Sequence, residues 1–113
     1  MIGIDLVEIE RVRELYIRHK QRFIDKILAE EELDQFNSKE NKENFLAKRW
    51  AVKEAYFKAK GTGILTSSDF KSVWVTYDQY GKPLLNTRDG TKGHVSITDT
   101  DHYAQAIVML TSS

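Results

Sequence analysis

The spacing of apolar residues changes three times along this chain. The opening stretch "MIGIDLVEI" is short and rich in Ile and Val, which predicts a strand. The period then lengthens. Ile9, Val12, Leu15 and Tyr16 recur at helical spacing, so a helix follows directly. "RFIDKIL" predicts a second short helix with Phe23, Ile24, Ile27 and Leu28 on one face, and "EEELDQF" continues in helix. "NSKENKENF" is polar and marks a loop or a helix start, with Asn41, near Asn44, as a candidate cap. Beyond it Phe45, Leu46, Trp50, Lys53 or Glu54, and Phe57 trace one side of a long helix, and Gly61 ends it.

The second half alternates instead. "TGILTSSD" is a turn-rich connector, and "FKSVWVTYD" places β-branched and aromatic residues in strand alternation. "QYGKP" is a turn, "LLN" a short strand after the only proline, and "RDGTKG" another turn. "HVSITDT" and "YAQAIVML" predict two strands joined as a hairpin at "DTDH". Helices and strands are thus segregated, which predicts an α+β fold: an N-terminal strand and helices, with a long central helix packed on an antiparallel sheet. No repeat, linker or low-complexity segment divides the chain, so residues 1–113 are expected to form one domain.

Composition narrows the function classes. Hydrophobic residues make up 41% and charged residues 30%, a globular balance rather than a disordered one. Seventeen basic and seventeen acidic residues cancel, which argues against a strongly cationic nucleic-acid binder. The absence of cysteine excludes disulfides, thiol catalysis and Cys-ligated zinc. The first residues mix acids among apolar positions, unlike a secretory signal, and no apolar run is long enough to span a bilayer. A cytoplasmic protein without a membrane partner is expected.

The charges are balanced only in total. Residues 11–26 carry six bases against two acids, and residues 28–43 carry six acids against two bases. Such a dipolar surface can steer an acidic partner to one face, or it is simply a pair of solvated helix faces.

Candidate chemistry gathers around the long helix. Glu54 and Lys58 are one helical turn apart and read, at minimum, as an exposed ion pair. Trp50 and Phe57 flank Glu54 on the apolar side, however, and a carboxylate at the edge of a buried stripe needs a cation. Asp5, at the end of the first strand, supplies a second carboxylate, unless it is a cap or turn aspartate. Two carboxylates from separate elements, completed by phosphate oxygens and water, suit Mg²⁺. In "KGTGI", Gly61 and Gly63 allow backbone N–H groups to approach an anion, although the helix dipole opposes this and a plain helix stop is the alternative. His19, His94 and His102 show no metal-ligand spacing, and there is no nucleophile elbow or Walker motif. Trp74, Tyr77 and Tyr80 are candidates for stacking a base or for the core.

Two segments, "GIDLVEIERV" and "FLAKRWAVKEAYFKAKGTGI", resemble the signature motifs of holo-acyl-carrier-protein synthase, the small bacterial 4′-phosphopantetheinyl transferase. The first motif matches at Gly3, Ile4, Asp5 and Arg11. The second matches at Trp50, Lys53, Glu54, Ala55, Lys58, Ala59, Gly61 and Gly63. "GKP" and "HVSIT" also fall where the family has them, and the length fits its single-domain, trimeric group. The resemblance implies transfer of phosphopantetheine from coenzyme A to a serine of an apo acyl carrier protein, for fatty-acid synthesis, with adenosine 3′,5′-bisphosphate leaving. It implies catalytic roles for Asp5, Glu54 and Lys58, with Asp5 and Glu54 holding Mg²⁺, or alternatively Mn²⁺, on the pyrophosphate. Lys58 would neutralise phosphate charge, and Gly61, Thr62, Gly63 and His94 would line the coenzyme A site. Arg11, Arg18, Arg22 and Phe23 would meet the acidic helix of the carrier protein. In the family the site lies between subunits of a homotrimer. The base for the serine is a metal-ordered water or Glu54 acting through it. Some members carry histidine where this chain has Asp99, an acid unable to neutralise phosphate, so Asp99 receives no role. A non-catalytic module that binds coenzyme A or a nucleotide is the alternative, and a pure carrier-docking protein is a third reading.

Overall fold

A computed structural model describes residues 1–111. The chain runs β1 (Ile2–Glu8), α1 (Ile9–His19), α2 (Gln21–Ile27), a 3₁₀ turn (Glu30–Glu32), α3 (Leu33–Ser38), α4 (Lys42–Lys60), α5 (Ser67–Lys71), β2 (Val73–Tyr77), β3 (Pro83–Thr87), β4 (Gly93–Asp99) and β5 (Tyr103–Leu110). The α+β expectation and the hairpin at residues 99–103 are both found. Among the described residues no helix is long and apolar enough to cross a membrane.

Helix α4 is the axis of the fold. Asn41 Oδ1 accepts the Asn44 N–H at 3.0 Å, satisfying one of the unpaired donors of the first turn. Gly61 stops the helix with φ of 80°, a left-handed conformation that costs glycine nothing. Between these ends, eleven side chains are buried, on nearly every side of the helix. Such a helix must be covered all round. The sheet covers one side, and α1, α2 and the chain around α3 cover others.

The sheet is not one layer but two. β1, β5 and β4 form a three-stranded antiparallel sheet in that order, and β2 pairs only with β3 in a separate ribbon. Proline opens β3, and the turn at Asp89–Thr91 follows it, so the short strand has no length left to extend the first sheet. On the sheet's inner face Gly3, Asp5 and Val7 pair with Val108, Ala106 and Ala104. These residues are mostly small because β1 lies directly on α4. A Cβ on Gly3 would sit 1.9 Å from the Ala55 carbonyl oxygen. The outer face carries Ile2, Ile4, Leu6, Tyr103, Ile107 and Met109, all exposed in the single chain.

Two local departures from the sequence reading have clear causes. The connector before β2 contains α5, because Asp69 Oδ2 accepts the N–H groups of Leu65 and Thr66 and opens a helical turn. Phe70 therefore belongs to a helix and is buried there, not to the strand. Of the two candidates on the apolar stripe of α4, it is Lys53 that lies inside. Lys53 is fully buried, as are Glu32 and, nearly, Arg49. Its ammonium donates to Glu32 Oε1 at 2.6 Å and to the Phe70 carbonyl at 2.7 Å. Burial pushes the Lys53 ammonium below its ordinary range, and Glu32 opposes that shift. The Arg49 guanidinium lies over the Phe45 ring and bonds Gln35 Oε1 and the Tyr77 hydroxyl. The polar cluster ties α4 to the 3₁₀ turn, α3, α5 and β2.

Candidate active site

Asp5 lies in the middle of β1, not at its end, and points at α4 because odd positions of this strand face inward. The glycine two residues earlier brings the strand close enough for contact. Lys58 Nζ donates to Asp5 Oδ1 at 2.9 Å, with Asp5 largely enclosed and Lys58 about half exposed. Lys58 is thus bound to the strand and not, as the helical spacing allowed, to Glu54.

Glu54 projects from the same edge of α4. Its Oε1 accepts the Trp50 indole N–H at 3.1 Å. Its carboxyl is held above the usual range, first by partial burial and next by the negative charge of Asp5, against the opposing pull of the indole N–H and Lys58. A carboxyl held up by burial and by a neighbouring carboxylate forms a site that a cation would relieve.

Asp5 and Glu54 line one cavity of about 440 Å³, with Glu8, Arg11, Trp50 and Tyr103. Arg11, expected in carrier docking, lines this cavity from the first turn of α1. Glu8 and Tyr103 were not foreseen. They are cross-strand partners at the end of β1. Only the strand register puts them here, and their spacing in sequence gives no hint of it.

Among the described residues no three His, Cys, Asp or Glu side chains converge to hold a metal by themselves. The donor set therefore suits an ion that takes few protein ligands and draws the rest from water and phosphate. That is the habit of Mg²⁺, whereas a zinc site needs three or four protein ligands. The residues present fit magnesium.

The other expected residues divide. Gly61, Thr62 and Gly63 are exposed, but their N–H groups are spent on the helix carbonyls. Gly61 donates to Lys58, and Thr62 and Gly63 donate to Phe57. They form a helix stop, and the three donors are not free for an anion in this conformation. His94 sits on the outer face of β4 opposite Met109, so one chain does not bring it to Asp5 and Glu54. Arg18 and Arg22 are exposed near the junction of α1 and α2. Phe23 is a correction. It is 5% exposed and packs on Trp50 with ring centroids 5.7 Å apart, so it belongs to the core rather than to an open docking surface. Its place on the apolar face of α2, with Ile24 and Ile27, explains this. Asp99 accepts the Asn44 side-chain N–H at 2.8 Å, which ties β4 to the start of α4.

Residues 1–108 match the model of the 4′-phosphopantetheinyl transferase superfamily. The chain belongs to this superfamily. The holo-[acyl-carrier-protein] synthase of Staphylococcus saprophyticus is 41% identical over 96% of this chain and 95% of the relative. Among solved structures, the holo-[acyl-carrier-protein] synthase of Neisseria meningitidis superposes with a TM-score of 0.89 at 32% identity, covering 98% of this chain and 97% of that one. A holo-(acyl-carrier-protein) synthase from Bacillus anthracis, in complex with CoA (3′,5′-ADP), gives 0.86 at 36% identity, covering 99% and 96%. The phosphopantetheinyl transferase fold thus extends over nearly the whole chain, including both motif segments.

Proposed function

We propose that this protein is a holo-acyl-carrier-protein synthase that moves 4′-phosphopantetheine from coenzyme A to a serine of apo acyl carrier protein. The observation that carries the reading is the convergence of Asp5, Glu54 and Lys58 at the β1–α4 contact, within a chain that matches relatives of that name over almost its full length.

The carrier serine oxygen attacks the phosphorus that bears pantetheine. The bond from that phosphorus to the bridging oxygen breaks, and adenosine 3′,5′-bisphosphate departs with the electron pair. Phosphoryl transfer of this kind needs alignment and charge stabilisation more than covalent help. Asp5 and Glu54 would hold Mg²⁺, or Mn²⁺ in its place. The ion supplies Lewis-acid charge on the pyrophosphate oxygens when bound. Lys58, already at the site and half exposed, neutralises charge on the departing phosphate by leaving Asp5 for a phosphate oxygen. Glu54, which lines the cavity, would accept the serine proton through a water. Arg11, which also lines the cavity, with Arg18 and Arg22 along the same basic segment, offers cations to an acidic carrier helix.

The assembly we propose is a homotrimer with its sites between subunits. The exposed apolar row of Ile2 at 60%, Ile4 at 50% and Leu6 at 59% supports packing of this sheet face on another subunit. His94 shares that face, so its coenzyme A role requires a neighbouring subunit. The role we propose for the protein is in fatty-acid synthesis in the cytoplasm.

The test is direct. Mixed with coenzyme A, MgCl₂ and an apo acyl carrier protein, the enzyme adds one phosphopantetheine to the carrier, read by mass spectrometry, and EDTA abolishes the gain. No gain with a carrier that a known transferase modifies contradicts the reading and favours a coenzyme A-binding module.

A further inference from the structure

Trp50 is ordinarily read as a core aromatic, since it falls on the apolar stripe of α4. Its surroundings give it a second task. The indole is clamped by Phe23 on one side, at 5.7 Å, and by the edge-on ring of Phe70 at 6.0 Å. Phe70 is itself fixed through its carbonyl, which accepts the buried Lys53 ammonium. The indole packs on both rings while it also lines the cavity, and its single N–H donates to Glu54 Oε1, 3.1 Å away. An indole N–H can donate and never accept, so this bond also fixes which way the Glu54 carboxylate is engaged. One oxygen is bonded. Among the described residues no hydrogen bond reaches the other, and Glu54 lines the cavity it shares with Asp5.

We infer that Trp50 is a positioning residue that binds one oxygen of Glu54 and leaves the other presented, in a single orientation, for a divalent cation. The inference rests on the reading of Asp5 and Glu54 as the cation site. A phenylalanine here would keep the aromatic packing and lose the donor. Partners of a metal-ligating group set its orientation, and their loss weakens metal binding by about tenfold or more.

The experiment measures Mn²⁺ binding by electron paramagnetic resonance, with enzyme saturated in coenzyme A, for the native protein, Trp50→Phe and Glu54→Gln. Glu54→Gln should lose the bound ion. Trp50→Phe keeps the ring and removes the donor, and should bind Mn²⁺ about tenfold more weakly. Native binding with an unchanged constant in Trp50→Phe overturns the positioning role alone. No binding by the native protein overturns the cation site and with it this inference. A second measurement needs no change at Trp50. In ¹⁵N-tryptophan-labelled protein, the Trp50 indole N–H, assigned with Trp74→Phe, should exchange slowly with solvent and shift when MgCl₂ and coenzyme A are added. A resonance that exchanges like a free indole, or ignores magnesium, overturns the proposal even if Trp50→Phe fails to fold.

Discussion

Lys53 and Glu54 are neighbours in sequence and opposites in circumstance. Lys53 points into the protein, where Glu32, Arg49, Gln35, Tyr77 and the Phe70 carbonyl form a closed polar cluster. Glu54 points along the other edge of the same helix, into a cavity shared with Asp5, with one hydrogen bond and a raised carboxyl. In the first region one carboxylate, Glu32, sits between two cations, Lys53 and Arg49, and all three are shut away from water. In the second Asp5 is paired with Lys58, while Glu54 has only the indole N–H and stays open to the cavity. A buried charge cluster holds elements together, because losing a member leaves the others poorly paired. An open carboxyl with too few partners stores an unfavourable interaction that a ligand can relieve, which is what a binding site requires.

The sharpest way to break this comparison is to alter the two residues separately. Lys53→Met should cost about 3 kcal/mol of stability, because Glu32 loses its 2.6 Å partner in the core and keeps only Arg49, 3.6 Å away. Urea denaturation measures it, and a cost below about 1 kcal/mol would show the cluster to be dispensable. Glu54→Gln should do the reverse, abolishing transfer while leaving stability equal or slightly higher. Next in size is Gly3→Val. Its side chain would meet the Ala55 carbonyl oxygen and the Ala59 nitrogen, both backbone atoms that cannot rotate away. A loss of about 3 kcal/mol, with activity falling further than the unfolded fraction explains, would mark the strand as displaced and Asp5 with it. Arg11→Glu acts on the cavity lining and should raise KM for the carrier protein about tenfold, with little change for coenzyme A. Equal effects on both substrates would deny Arg11 a docking role.

The smallest effect is a pH dependence. Glu54 has a folded pKa above its unfolded value, so the folded state binds the proton more readily. Its contribution to stability is fully present below the unfolded value, near 4.3, and is lost as pH rises through the raised folded value. Metal-free native protein should therefore lose a small increment, under about 1 kcal/mol for a half-buried group, that Glu54→Gln does not lose. Thermal melts across pH 4 to 7, repeated with MgCl₂ and coenzyme A, would show the difference narrowing at acid pH.

Much of this was legible in the sequence. Local spacing marked β1, α1, α2, α4 and the closing hairpin, and Asn41 and Gly61 marked the ends of α4, because caps and periods are properties of neighbouring residues. The motifs marked Asp5, Glu54 and Lys58. What escaped depended on distant partners. Lys58 chose Asp5 over Glu54 because Gly3 lets the strand approach. The choice between Lys53 and Glu54 for the buried stripe stays open in the sequence until Glu32, 21 residues earlier, is packed against Lys53. Phe23 looked available for docking until Trp50 covered it. The glycine turn reads from its residues chiefly as a helix stop, and its N–H groups are committed to helix carbonyls. The division into two sheets was invisible because strand pairing beyond hairpins has no local signature.

The central claim is that Glu54 serves chemistry and not the fold. The most direct measurement combines phosphopantetheine transfer and thermal melting on one preparation of Glu54→Gln. The account predicts an apo carrier protein whose mass does not change, from an enzyme that melts at or slightly above the native temperature. A carrier protein converted at the native rate would contradict it. So would a melting temperature lowered as far as that of Lys53→Met, which would make Glu54 a structural residue like its neighbour.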